Sequence, residues 1–207
     1  ITKKIPKPLV KIGQKTILEK IIENFKNEGF NNFTIIVNHF GDLIIDQFTN
    51  LKDSNIKISF VKEKKALGTI GGLSLIKKKI SNNFILVNAD VLTNLNISKM
   101  IQYHKDNKSL ATVGCINQKQ QLQYGIINYR NNKFINMVEK PIIKQFVNAG
   151  IYIFNKKIIK YLKKNKKIDA PEFLNSLSGK VKIFPIYEDW IDIGTHNNLI
   201  KASKFNG

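Results

Sequence analysis

The chain has 207 residues, 43% of them apolar, with 34 Lys and Arg against 15 Asp and Glu for a formal net charge of +19. That length and apolar fraction fit one α/β domain with a core of its own, and no apolar stretch nears the ~18 residues that would span a bilayer. The single Cys115 excludes an internal disulfide, no signal-peptide pattern opens the chain, and a reducing cytoplasm is the simplest home.

Apolar residues at 17, 18, 21, 22 and 25 predict an amphipathic helix over 17–26, stopped by Glu28-Gly29-Phe30. Phe33 to Val37 reads as a buried strand, Leu43 to Phe48 as a short helix after Gly41-Asp42, and Ile56 to Val61 as a strand with one wet face. Residues 71–80 read as helical. Phe84-Ile85-Leu86-Val87-Asn88-Ala89-Asp90 is a continuous apolar run ending in an acid, the pattern of a strand buried on both faces. A helix over 97–103 with Asn96 as its N-cap and a strand over 111–116 follow. This alternation predicts a doubly wound, mostly parallel sheet.

Beyond residue 116 the texture changes. Residues 124–129 and 134–138 flank the polar turn Arg130-Asn131-Asn132-Lys133, a hairpin signature. A strand over 147–154 contains Asn148-Ala149-Gly150. Helices over 157–164 and 171–177 (the second with Asp169 as a cap), a strand over 181–184 and a helix over 199–205 complete the chain. The expected fold class is therefore α/β: a doubly wound, mostly parallel, Rossmann-like sheet with an inserted β-hairpin region, in a single domain over 1–207.

The positive charge favours anionic partners, but nearly all of it is lysine, with Arg130 the sole arginine. Nucleic-acid binders generally use arginine for bidentate contacts, so a nucleic-acid-binding protein is a distant alternative. The lysine runs at 77–79, 163–164 and 166–167 read as solvated faces. His39, His104 and His196 are scattered, show no zinc spacing, and read as surface or packing residues.

Five segments carry candidate chemistry. In open α/β sheets ligands bind beyond the carboxyl ends of the strands, which is where Asp90 falls; an ordinary strand-end turn is the competing reading. Lys7 stands between Pro6 and Pro8 and is presented on a stiff turn, or is a plain loop lysine. The turn from Glu63 to Gly72 is glycine-rich and lets a flat ring or a phosphate approach the backbone, yet lacks both the dinucleotide and the P-loop spacing. Glu139-Lys140 sets an acid and a base side by side, as a phosphate contact or a surface ion pair. Asp192 lies in Trp190-Ile191-Asp192-Ile193-Gly194-Thr195; if it converges with Asp90, the two make a hard oxygen site suited to Mg²⁺.

The order of these segments resembles the sugar-1-phosphate nucleotidyltransferases. The matching pieces are PKPLVKIGQKTILEKII at 6–22, LGTIGGL at 67–73, LVNADVL at 86–92, YGIIN at 124–128, VEKP at 138–141, NAGIYIF at 148–154 and WIDIGT at 190–195. The resemblance implies transfer of a nucleoside monophosphate from a nucleoside triphosphate to a sugar 1-phosphate, giving a nucleoside-diphosphate sugar and pyrophosphate. It implies that Lys7 contacts the nucleotide phosphates, that Glu63, Gly68 and Thr69 lie at the base, and that Asp90 and Asp192 hold Mg²⁺. Tyr124, Gly125, Glu139, Asn148 and Gly150 fall where the sugar is held, and Lys140 where its phosphate is neutralised. Thr195, after the metal acid, shapes its turn.

An acid at 63 can accept from the N1–H and amino group of guanine, which leans the base toward GTP; the sugar is left open. The family opens with a strand and a glycine-rich, arginine-bearing loop that cradles the triphosphate, whereas this sequence starts at Ile1-Thr2, resembling the end of that motif. Without that loop the 207 residues alone are expected to be poorly active. A non-catalytic nucleotide-sugar-binding paralogue or fragment is the alternative. A homo-oligomer and an N-terminal regulatory domain in a longer protein are both compatible with the resemblance.

Overall fold

Thr16 starts the first helix by a reciprocal capping box. Its hydroxyl accepts from the Glu19 amide at 3.2 Å, and its own amide donates to the Glu19 carboxylate at 2.6 Å. Burial alone would raise the Glu19 carboxyl, but the bonds from Thr16, together with Gln47 and the charge of Lys11, outweigh it and hold the group below its ordinary value. The structure is a computed structural model and describes residues 5–49, 53, 55–76 and 80–203. The expectations for Ile1-Thr2, for the lysine run at 77–79 and for residues 204–205 of the last helix lie outside the described residues.

A short hairpin, β1 (Lys11–Ile12) and β2 (Lys15–Thr16), leads into α1 (Ile17–Asn27), which buries Ile17, Leu18, Ile21 and Ile22 and ends at Gly29, whose φ of +89° suits a residue without Cβ. Strand β3 (Asn32–Val37), helix α2 (Gly41–Thr49) and strand β4 (Lys57–Lys62) form a β–α–β unit with the strands parallel. Helix α3 (Gly68–Gly71) starts three residues ahead of the predicted helix and tightens into a 3-10 turn over Gly72–Leu75. Its amides at Ile70 and Gly71 donate to the Ile168 carbonyl, which ties this turn to a distant segment rather than to a continuing helix.

Strand β5 (Asn83–Val87) ends before Asp90, which lies in a turn ahead of β6 (Val91–Thr93). Helix α4 (Ile97–Asp106) is capped by Asn96, whose side chain accepts from the Lys99 amide at 3.0 Å. Then come β7 (Ala111–Gln121), the hairpin β8 (Ile126–Arg130) and β9 (Lys133–Val138), and β10 (Ile142–Asn155). Asn131 and Asn132 both adopt positive φ, +48° and +60°, the conformation a two-residue hairpin turn requires. The helix expected over 157–164 is a 3-10 turn over Lys156–Tyr161. Helix α5 (Ala170–Ser176), strand β11 (Val181–Ile186), strand β12 (Trp190–Asp192) and helix α6 (His196–Ala202) finish the fold. Asp169 stands at the N-cap of α5 without a capping side-chain bond; it pairs instead with Lys167 at 3.8 Å.

The central sheet has the order β11-β7-β10-β5. Strands β5, β7 and β11 point one way and β10 alone runs against them. Alternate residues of β10 serve two cores. Tyr152 and Phe154 pack with Phe173 of α5, while Ile151 and Ile153 pack with Ile97 and Met100 of α4. Both faces are thus covered, the doubly wound arrangement expected from the sequence. The outer edge of β5 pairs with no described strand, so its residues are half-buried rather than sealed. Among the described residues no helix is long and apolar enough to cross a membrane.

Candidate active site

Asp90 and Asp192 lie on neighbouring strands. Asp192 is paired with Val91 in the antiparallel β12–β6 ladder, and the Ile193 amide donates to the Asp90 carbonyl at 2.9 Å. The Val91 amide closes a turn onto the Asn88 carbonyl at 3.3 Å, and Asp90 rides on that turn. Lys7 meets it from the N-terminal side, with Nζ 3.5 Å from Oδ2. The lysine is presented by a 3-10 turn, Lys7–Leu9, between Pro6 and Pro8, in which the Leu9 amide donates to the Pro6 carbonyl. Three groups that stand far apart in sequence therefore share one place at the carboxyl end of β5.

Asp192 is held differently from Asp90. Its carbonyl accepts from the Asn198 side chain at 2.7 Å, and Gly194 folds so closely over it that a Cβ there would stand 2.9 Å from Oδ1. That Oδ1 is sealed from solvent and has no hydrogen-bond partner. A carboxylate oxygen in that condition needs a cation or a donor. No group of three or more His, Cys, Asp or Glu gathers among the described residues. The donor set fits a hard divalent ion held by two carboxylates, with its remaining ligands drawn from water and substrate phosphate.

The Asn148–Gly150 segment belongs to the same body. The Asn88 amide donates to the Gly150 carbonyl at 2.8 Å, and the Trp190 indole donates to the Ala149 carbonyl at 2.9 Å, so the segment is bonded to the turn that leads into Asp90 and to the strand that carries Asp192. Gly150 has φ +72°, and a Cβ on it would come within 2.8 Å of the Asn88 side chain. It sits in the bulge where the β10–β7 register shifts between Asn148 and Tyr152. Asn148 donates to the Tyr152 hydroxyl at 2.6 Å and accepts from the Gly150 amide at 3.0 Å. Burial pushes the Tyr152 phenol up, and the Asn148 bond offsets this in part.

The Glu63–Gly72 loop is a second, separate cluster. The Glu63 carboxylate accepts from the Leu67 amide at 3.3 Å, and a Cβ on Gly72 would stand 2.7 Å from its Oε1. Burial pushes the Glu63 carboxyl above its ordinary value, opposed by the Leu67 amide. Gly68 has φ +73° and is pressed against Asp169 and the Ile168 carbonyl, while Thr69 is exposed. Among the described residues no hydrogen bond or ion pair links this loop to Asp90 or Asp192.

Tyr124, Gly125, Glu139 and Lys140 gather around the β8–β9 hairpin. A Cβ on Gly125 would come within 2.8 Å of Glu139 Oε2. Lys140 is exposed and holds φ +44°, a left-handed conformation uncommon for lysine and still more so for a residue preceding proline. Among the described residues this hairpin also makes no hydrogen bond or ion pair to the acids. Sequence reading missed Asn88, which makes backbone bonds to Gly150 and Val91, and Trp190 and Asn198, whose side chains each donate to a backbone carbonyl; the polar residue inside LVNAD and the tryptophan two residues before Asp192 were the available signals.

The sequence matches the family described as Nucleotidyl transferase over residues 1–207. It is 25% identical over 213 residues to a mannose-1-phosphate guanyltransferase of Yarrowia lipolytica, which covers 98% of this chain and 59% of that protein. It is 27% identical over 217 residues to a UTP–glucose-1-phosphate uridylyltransferase of a Synechocystis strain, covering 94% of this chain and 56% of that protein. The chain thus spans less than two thirds of the length of these relatives. Its fold superposes on HddC from Yersinia pseudotuberculosis, solved in complex with GMP-PN, with a TM-score of 0.80 and 28% identity over 99% of this chain and 91% of that one.

Proposed function

The chain belongs to the nucleotidyl transferase family, and from that premise we propose that it transfers a nucleoside monophosphate from a nucleoside triphosphate to a sugar 1-phosphate, in the cytoplasm, with Mg²⁺. The observation that carries the reading is the contact of Lys7 with Asp90 at the carboxyl end of β5, next to the strand on which Asp192 keeps a buried Oδ1 without a partner. An oxygen of the sugar phosphate attacks the α-phosphorus, the α–β bridging bond breaks, and pyrophosphate leaves with the electron pair. No covalent protein intermediate is needed; the residues position two anions and offset their charge.

Asp90 and Asp192 would hold the Mg²⁺, which when bound supplies positive charge to the reacting phosphates. Lys7 then exchanges its contact with Asp90 for one with the triphosphate. Asn148 and Gly150 bind the sugar hydroxyls beside the acids. Tyr124, Gly125, Glu139 and Lys140 would complete the sugar and sugar-phosphate contacts from the hairpin, with Lys140 as a point charge. Glu63, Gly68 and Thr69 receive the base. A carboxylate at 63 and the GMP-PN complex of the structural relative favour GTP.

The test is pyrophosphate release from the full-length protein with Mg²⁺, scanning nucleoside triphosphates against sugar 1-phosphates. One productive pair, dependent on Asp90, is expected. Tight binding of a nucleoside-diphosphate sugar without turnover of any pair would assign the chain to a non-catalytic binding role instead.

A further inference from the structure

The end of the sheet away from Asp90 carries a second polar cleft. It has a volume of about 370 Å³, and its lining includes Asn83 at the start of β5, Asn155 at the end of β10, His104 and Lys105 in the last turn of α4, Lys108 and Ser109 after that helix, and Lys157. A neighbouring cleft of about 460 Å³ shares Asn83, Asn155 and Lys157 and adds Lys156. No acidic residue lines either one. Asn83 opens β5 while Asp90 lies past its other end, so about 13 Å of strand, at ~3.3 Å per residue, separates this cleft from the acids.

We propose that this cleft is a phosphate-binding site, distinct from the candidate active site, taking a free phosphate or the phosphate group of a small metabolite. Three observations support it independently of the proposed transfer reaction. Ser109 is 93% buried and its Oγ is sealed from solvent with no hydrogen-bond partner, a donor without an acceptor in a cleft lined by lysines. Asn155 donates to the Asn83 oxygen at 3.0 Å, which leaves the Asn83 amide group as a further donor. Lys108 holds φ +46° in the turn that ends α4, a position where glycine is the usual residue, so a lysine is kept there at some conformational cost. The donors are ammonium, amide and hydroxyl groups, which suit a tetrahedral oxyanion and leave a cation no ligand of charge.

The experiment is hydrogen exchange on the full chain in phosphate and in chloride at equal ionic strength. Inorganic phosphate is expected to slow exchange several-fold across 104–110 and 155–158. Lys105→Gln/Lys108→Gln/Lys157→Gln is expected to abolish that protection, and Ser109→Ala to weaken it several-fold. A control, Lys163→Gln/Lys164→Gln, is expected to keep it. Phosphate contacts at the candidate active site appear in separate segments, 6–10 and 88–93, so failure here and failure of the transfer reading are distinguishable. A hexose phosphate that protects more strongly than inorganic phosphate makes the source a metabolite; equal protection makes it the free ion. No protection in the unsubstituted chain, equal protection in the triple variant, or protection by an oligonucleotide alone would overturn the proposal.

Discussion

The Ile193 amide donates to the Asp90 carbonyl at 2.9 Å, which places Asp192, the residue before Ile193, one ladder step from Asp90. The two acids cannot shift independently, because the β12–β6 pairing moves them together.

Asp90→Asn and Asp192→Asn are each expected to lower turnover at least about 100-fold, since each removes one charged ligand from the reacting phosphates. The double variant should be little worse than either single one, because the two act as a unit. Asp192→Asn should leave the melting temperature unchanged or raised, because Oδ1 is buried without a partner and its charge stabilises nothing in the free protein. Pyrophosphate release and thermal melts on the three variants check this. A fully active Asp192→Asn protein would remove that residue from the site.

Lys7→Met separates binding from folding. The Lys7–Asp90 pair is long, at 3.5 Å, and both side chains are partly exposed, so its loss should change stability by less than about 1 kcal/mol. If Lys7 neutralises the triphosphate, kcat/KM should fall about 10- to 100-fold at unchanged Tm. An unaltered kcat/KM would return Lys7 to the role of a loop lysine.

The sequence made the alternation of strands and helices legible, because period and turn chemistry are local: the α1 boundaries, the Asn96 cap and the Asn131-Asn132 turn all lie within two residues of where pattern reading puts them. It misjudged segments whose conformation is set from a distance. Residues 68–75 are tied to Ile168, and 156–161 tighten into a 3-10 turn whose Lys156 amide donates to Asn82. In the site, Asp90 was visible as a strand-end acid, but its convergence with Asp192 is a matter of strand pairing across more than a hundred residues, which no local pattern encodes. The roles of Asn88, Trp190 and Asn198 rest on one or two hydrogen bonds each and left little trace in composition.

Gly150 fixes how closely Asn88 can approach. Gly150→Ala introduces a Cβ 2.8 Å from the Asn88 side chain and 3.1 Å from Val91, at a φ of +72°. The variant should lose about 1–3 kcal/mol. Because Asn88 and Val91 flank Asp90, turnover should fall further than the loss of folded protein accounts for. Turnover measured well below the melting temperature separates the two effects, and a destabilised variant with normal turnover would show that the bulge serves folding alone.

Glu63 should report its environment through pH. Its carboxyl is raised above 4.5 by burial, so the folded chain binds more protons than the unfolded chain just above that value. Stability from this group is present below pH 4.5 and is lost as pH rises through the folded value, and at neutral pH the buried charge is a standing cost. Glu63→Gln is therefore expected to be more stable than the parent at pH 7. If the carboxylate accepts from guanine, the same variant should lose about 10- to 100-fold in kcat/KM with GTP and little with UTP. Equal losses with both nucleotides would assign Glu63 to holding the Leu67 turn rather than to reading the base.

His104 gives the opposite slope. It is buried at the end of α4, with Nδ1 2.8 Å from the Thr112 hydroxyl, and burial lowers its pKa below the ordinary 6.5. Between the folded value and 6.5 the unfolded chain binds the extra proton, so stability is full above pH 6.5 and falls as pH drops through that window, levelling once the folded histidine also protonates. His104→Gln keeps a group able to bond Thr112 but cannot titrate, so its stability should be flatter over pH 5 to 7 than the parent's. Urea unfolding at half-unit pH steps measures the difference. Parallel curves for the two proteins would mean that His104 protonates alike in the folded and unfolded chains, and that its burial between α4 and β7 carries no linked proton.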